Sequence, residues 1–185
     1  YNLKKKIVMY TGGIDYRKNI EGLIEAYSLL PHDIRSNHQL AIICSINIED
    51  SERLKRLIHS FGLYDDEVVF TGFVPEDHLV KLYNLAEVFV FPSKYEGFGL
   101  PALEAMSCGT ATIGSNVSSI PEVIGKEDAL FDPDSPKTIA DKLLQVLTNK
   151  EFRKSLIKHG LEQARNFSWD VSAIRSIKAL EQLYK

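Results

Sequence analysis

The chain has 185 residues, 44% of them apolar and 25% charged, with a formal net charge of −3. This is the length of one domain with a sizeable core and the composition of an ordinary globular protein. The balance is too acidic for nonspecific nucleic-acid binding, which needs a basic face to release counterions.

In chain order, "KKIVMYTG" is a short apolar run ending at the turn pair Gly12 and Gly13, and reads as a buried strand. Lys4, Lys5 and Lys6 are a solvated lead-in to it. Apolar residues at Ile20, Leu23, Ile24, Tyr27 and Leu30 have helical spacing, with Pro31 as a stop. The alternation continues with strands over "HQLAIICS", "EVVFTG", "VFVFPS" and "TATIGS". Helices lie over "SERLKRLIHSFG", "PEDHLVKLYNLAE" and "PALEAMSCG". "SSIPEVIG" starts a short helix at Pro121, "DALFDP" is the last strand, and helices follow over about 136–149 and 151–166. Strands apolar on both faces, alternating with helices, predict a doubly wound, mainly parallel α/β sheet of six strands with helices on both faces.

The apolar runs are too short to span a bilayer, and no charged-then-apolar leader opens the sequence. The first strand begins within a few residues and without an initiating Met, which reads as a piece of a longer protein. Cys44 and Cys108 lack zinc-ligand spacing and sit in apolar stretches. Two free thiols fit a reducing, cytoplasmic setting, peripheral to a membrane at most. The five histidines have no ligand spacing either, and surface or capping roles are expected.

Ligands of doubly wound sheets sit beyond the carboxyl ends of the strands, where helix N-termini present free amides. After the fourth strand, "SKYEGFGLPALEAMSCG" supplies Gly97 and Gly99, then Pro101 at a helix start. The amides of Phe98, Gly99 and Leu100 can meet an anion there. Glu96 and Glu104 cannot ligate that anion, because like charges repel strongly in a poorly solvated cleft. They suit hydroxyls instead. A phosphate flanked by polyhydroxylated groups, as in a sugar nucleotide, meets both demands. A plain turn with a solvated first-turn acid is the competing reading. After the first strand, "TGGIDYRKN" offers Gly12 and Gly13 for close approach, and Arg17 and Lys18 as diphosphate cations. Surface charges near a helix start are the alternative there.

These segments, with "VVFTGFVPEDHLVKLYNLAEVFVFPSKYEGFGLPALEAMSCG", "SSIPEVIG" and the late "NFSW", resemble nearly end to end the C-terminal half of a family 4 (group 1) glycosyltransferase of GT-B architecture. The most specific element is E-x7-E, Glu96 to Glu104, around "GFGLP". The resemblance implies a Rossmann-like nucleotide-sugar-binding domain over 1–167. It implies transfer of a hexose from a nucleoside diphosphate sugar to an acceptor hydroxyl, with retention and with neither metal nor cofactor. Carried over by motif, Lys18 binds the diphosphate with Arg17 as helper, and Gly13 lies in the phosphate loop. Glu104 holds the ribose hydroxyls, Glu96 sits at the reacting sugar, and the amides of Phe98, Gly99 and Leu100 hold phosphate or sugar. Val74, in "GFV", contacts the base through its backbone, and Phe73 is a weaker stacking candidate.

Two departures stand out. Many members have an Arg where this chain has Gly13. A glycine-rich turn often follows the second strand, where this chain has "ICSINIED" and only Ser45 as a contact. Leu103 and Met106 are expected in the core. Val171, Ile174, Ile177, Leu180 and Tyr184 form a helical stripe in the tail, 168–185, which by the same resemblance crosses to an absent N-terminal domain that holds the acceptor. Packing on the domain's own helices is the alternative. A noncatalytic nucleotide-sugar module and another Rossmann-like enzyme remain rival functions. The absence of G-x-G-x-x-G after the first strand weighs against a dehydrogenase.

Overall fold

Six segments pair side by side in a single sheet, every neighbouring pair parallel: β1 Lys6–Thr11, β2 His38–Ile43, β3 Val68–Phe70, β4 Ala86–Phe91, β5 Thr112–Ser115 and β6 Leu130–Phe131. The computed structural model describes residues 1–184. The order across the sheet is β3-β2-β1-β4-β5-β6. The chain therefore runs outward from β1 to β3, returns past β1, and continues outward on the other side. The doubly wound α/β fold expected from the sequence is the fold observed. All six residues of β2 are buried, as are Ile7, Val8, Met9 and Tyr10 of β1, because helices cover both faces.

Nine α-helices occur among the described residues: α1 Ile20–Ser28, α2 His32–Asn37, α3 Ile48–Ser60, α4 Glu76–Leu85, α5 Leu100–Ser107, α6 Ile120–Ile124, α7 Pro136–Thr148, α8 Lys150–Ala164 and α9 Trp169–Leu183. On one face α1 packs between α3 and α7, and on the other α5 packs against α4, α6 and α8. Pro31 ends α1 as expected, but it also opens α2, which the apolar pattern does not announce because none of its residues is buried. The third helix starts three residues earlier than its apolar spacing suggests, because the Asn47 side chain accepts from the Asp50 amide at 2.8 Å and caps it. Ala86 and Glu87 belong to β4 rather than to the preceding helix. His38 is buried and caps α2, its Nδ1 lying 2.7 Å from the Ile34 carbonyl.

Asn19 ties the two halves of the sheet together. It is buried, its φ is 56°, and its amide group donates to the Pro92 carbonyl at 3.1 Å and to the Pro133 carbonyl at 2.8 Å. The segments after β1, β4 and β6 thus meet on one side chain. Gly22 makes room for it, since a Cβ there would lie 2.5 Å from Asn19 Oδ1. No helix among the described residues is long and apolar enough to cross a membrane. Every described residue of α9 is exposed, so the tail stripe does not pack on the domain's own helices.

Asn19→Ala would leave two buried carbonyls without their donor and would force a left-handed backbone on alanine. A loss of about 2–4 kcal/mol in urea unfolding is expected, and a loss under about 0.5 kcal/mol, the level of an ordinary surface change, would remove Asn19 from this role.

Candidate functional site

All strands being parallel, the loops after β1, β4 and β5 open at the same end of the sheet. β1 and β4 are neighbours although distant in sequence, so the loops that follow them flank the point where strand order reverses. That is where doubly wound sheets leave a crevice.

The loop after β1 is shaped from below. The Tyr10 hydroxyl donates to the Gly13 carbonyl at 2.7 Å, and a Cβ on Gly12, whose φ is +148°, would lie 2.7 Å from that hydroxyl. Asp15 then caps a 3-10 turn, Tyr16–Lys18, by accepting from the Arg17 amide. Arg17 and Lys18 therefore stand in this turn and not in the first turn of α1, as the sequence suggested; the left-handed Asn19 separates the two.

The Lys18 ammonium meets Oε1 of Glu96 at 2.6 Å, across 78 positions of sequence. The two side chains are 18% and 12% exposed. The Glu96 peptide is held by the β5–α6 loop. The Ser118 hydroxyl accepts from the Glu96 amide at 3.2 Å and donates to the Glu96 carbonyl at 2.7 Å, and the Ser119 hydroxyl donates to the Phe98 carbonyl at 2.7 Å. Ser118 achieves this with a φ of 59°, a left-handed conformation that costs a non-glycine residue energy.

Beyond Glu96 the backbone is bare. A Cβ on Gly97 would meet nothing within 4 Å, so the protein itself does not require glycine there, whereas Gly99 has a φ of 115° and lies against Phe91. The amides of Phe98, Gly99 and Leu100 donate to no acceptor among the described residues, and no side chain caps α5. Three free donors and the positive end of a helix dipole thus sit beside a lysine. One turn into α5, Oε2 of Glu104 accepts from the Tyr83 hydroxyl at 2.9 Å.

The other expected residues are less convergent. The Arg17 guanidinium pairs with Asp15 at 3.0 Å and is largely exposed, while its carbonyl accepts from the Lys94 amide. Val74 is buried and Phe73 exposed in the loop after β3; neither is hydrogen-bonded to Lys18 or Glu96, nor is Ser45. Met106 is core, but Leu103 is only half-buried: with Phe98, Leu100, Phe167 and Trp169 it lines an apolar hollow of about 300 Å³. A larger hollow, about 710 Å³, runs beside β3 and is lined by none of Lys18, Glu96 and Glu104. Among the described residues no three His, Cys, Asp or Glu side chains cluster as metal ligands. Tyr10, Asn19, Tyr83, Ser118 and Ser119 went unnoticed in the sequence.

The fold and the cluster define a doubly wound domain with an ion pair, Lys18–Glu96, and unbonded helix-start amides at its strand-order reversal. Residues 1–163 match the family model "Glycosyl transferases group 1", and the chain belongs to that family. It is 44% identical to the serotype-specific mannosyltransferase WbdA of Escherichia coli over 99% of this chain and 22% of that protein. It is 40% identical to O-antigen chain mannosyltransferase B of Escherichia coli, over 95% of this chain and 45% of that one. The chain thus spans less than half the length of these relatives. Sucrose-phosphate synthase from Thermosynechococcus elongatus superposes with a TM-score of 0.84 at 30% identity, covering 98% of this chain and 46% of the other.

The strained Ser118 yields a comparison of two variants. Ser118→Gly removes the hydroxyl but also the left-handed penalty, while Ser118→Ala removes the hydroxyl and keeps the penalty. By chemical denaturation the alanine variant should be the less stable by about 1 kcal/mol. The opposite ranking would show that Ser118 is unstrained.

Proposed function

We propose that the chain is the donor-binding part of a retaining, metal-independent glycosyltransferase that moves a sugar from a nucleoside diphosphate sugar to an acceptor hydroxyl. The names of the relatives support a mannosyl donor. The observation that carries the reading is the Lys18–Glu96 pair beside the free amides of Phe98, Gly99 and Leu100 at the strand-order reversal.

An ammonium has three donors, and Glu96 occupies one. The others are available to diphosphate oxygens, with the α5 amides completing the cradle. As the bond from the anomeric carbon to phosphate breaks, negative charge grows on the diphosphate. A fixed lysine and a helix N-terminus stabilise that charge more than the ground state, which is the difference catalysis requires. Glu96 accepts from a hydroxyl of the transferred sugar, and Glu104 from the ribose.

A carboxylate paired with an ammonium at 2.6 Å is a poor nucleophile, because its charge is already engaged. This favours retention by same-face attack, the leaving phosphate taking the acceptor proton, over a covalent intermediate on Glu96. The two free cysteines fit a cytoplasmic setting. The exposed stripe of α9 fits a helix that packs on the missing part of the longer protein, which would bring the acceptor and exclude water. The chain alone then binds nucleotide without transferring sugar. A noncatalytic nucleotide-sugar module is the remaining alternative for the isolated chain.

Calorimetric titration of Lys18→Ala with GDP, UDP and their nucleosides tests the phosphate role. Losing one charge-assisted contact, about 1.5–3 kcal/mol, should weaken diphosphate binding roughly ten- to hundredfold and leave nucleoside binding nearly unchanged. Equal losses for both would sink the assignment.

In the complete enzyme, Glu96→Gln should reduce turnover with labelled sugar nucleotide while sparing diphosphate affinity. An unaltered transfer rate would remove Glu96 from the reacting sugar.

A further inference from the structure

Tyr83 is held at both ends before its hydroxyl does anything. It lies on α4 with only 2% of its surface exposed, its ring meets Phe89 edge-on with centroids 5.6 Å apart, and its carbonyl accepts from the Thr110 hydroxyl at 2.6 Å. From this fixed ring the hydroxyl donates to Oε2 of Glu104 at 2.9 Å. Burial, and then the Glu104 charge, push the Tyr83 phenol up, so it remains protonated and the hydrogen bond has one direction.

Glu104 is otherwise unrestrained. It is an exposed residue on α5, and Tyr83 is its one hydrogen-bonding side-chain partner among the described residues. A solvated glutamate samples several rotamers, and a ligand that needs one of them must restrict that freedom on binding. A rigid phenol bonded to one carboxylate oxygen imposes the restriction in advance and leaves the second oxygen available.

We propose that Tyr83 is a positioning residue that fixes Glu104 in one rotamer, so that the free carboxylate oxygen is ready to accept from the vicinal hydroxyls of the ligand's ribose. This rests on the reading of Glu104 as the ribose acceptor. A tyrosine whose hydroxyl merely finds a partner at the surface would have no influence on which ligand binds. A positioning tyrosine has one, and only through the ribose hydroxyls.

The test titrates GDP, UDP and their 2′,3′-dideoxy counterparts against the parent, Tyr83→Phe, Glu104→Ala and the double variant. The parent should prefer the ribose forms. Tyr83→Phe should weaken binding of the ribose form about three- to thirtyfold, the span given by restoring rotamer freedom to a glutamate. Its affinity for the dideoxy form should match the parent's, which also shows that the variant folds. In the Glu104→Ala background, which removes the acceptor, Tyr83→Phe should change binding no further. Equal weakening of both forms by Tyr83→Phe, or none of either, with the parent's ribose preference intact, overturns the positioning role alone. A parent that binds the two forms alike removes the hydroxyl role of Glu104, and the positioning role with it.

Discussion

Adjacency of β1 and β4 is the constraint on which the site depends. The strand order β3-β2-β1-β4-β5-β6 makes neighbours of two strands whose ends are about 80 residues apart in sequence. Lys18 follows one strand and Glu96 the other, and they meet at 2.6 Å. Neither residue could find the other from local structure. The parallel register carries both loops to the same end of the sheet, and Asn19, bonded to the carbonyls of Pro92 and Pro133, fixes their spacing. Holding the ion pair is thus a tertiary task. A partly buried pair of this kind is weak evidence for stability, because desolvation offsets its attraction; its conformational specificity is the more informative property.

Much of this architecture was legible in the sequence because it rests on periodicity. Short apolar runs marked all six strands, five of them ending at glycine or proline, and helical spacing marked most of the helices that cover them. The places where the reading slipped have local causes. Helix α2 has no fully buried residue and packs only Ile34 against the core, so it leaves little apolar trace. Asn47 caps α3 ahead of its first apolar residue, and the boundary between α4 and β4 falls inside a run compatible with either.

The site was legible only where residue type itself carried the signal. Glycines, a proline and two acids singled out one turn, two cations singled out another, and the fold brings the two together at Lys18 and Glu96. The residues that hold this machinery gave no such sign. Tyr83 and Asn19 are buried polar residues whose partners lie across the fold, Tyr10 bonds back to Gly13 only once its loop has closed, and all three look like core or turn chemistry until then. Ser118 is harder still, since nothing in its type announces a φ of 59° or a grip on the Glu96 peptide. Supporting residues are set by geometry across elements, and a linear pattern does not encode it.

The arrangement of charge also bears on how an anion would be held. Arg17 is paired with Asp15 and Lys18 with Glu96, so neither cation faces the loops unopposed. A diphosphate arriving there meets cations whose field is already partly cancelled. The α5 amides, by contrast, carry partial positive charge with no acid assigned to them, and Gly97 leaves the approach open. The division of labour follows from that difference. On the proposed reading the amides would supply attraction from a rigid backbone, while Lys18, bonded to Glu96, would link the phosphate end of a ligand to the carboxylate beside it. A charge that develops on the phosphate would draw Lys18 away from Glu96 by a fraction of an ångström, strengthening one contact as it relaxes the other. On that reading, coupling between the two ends of the site would run through a single side chain.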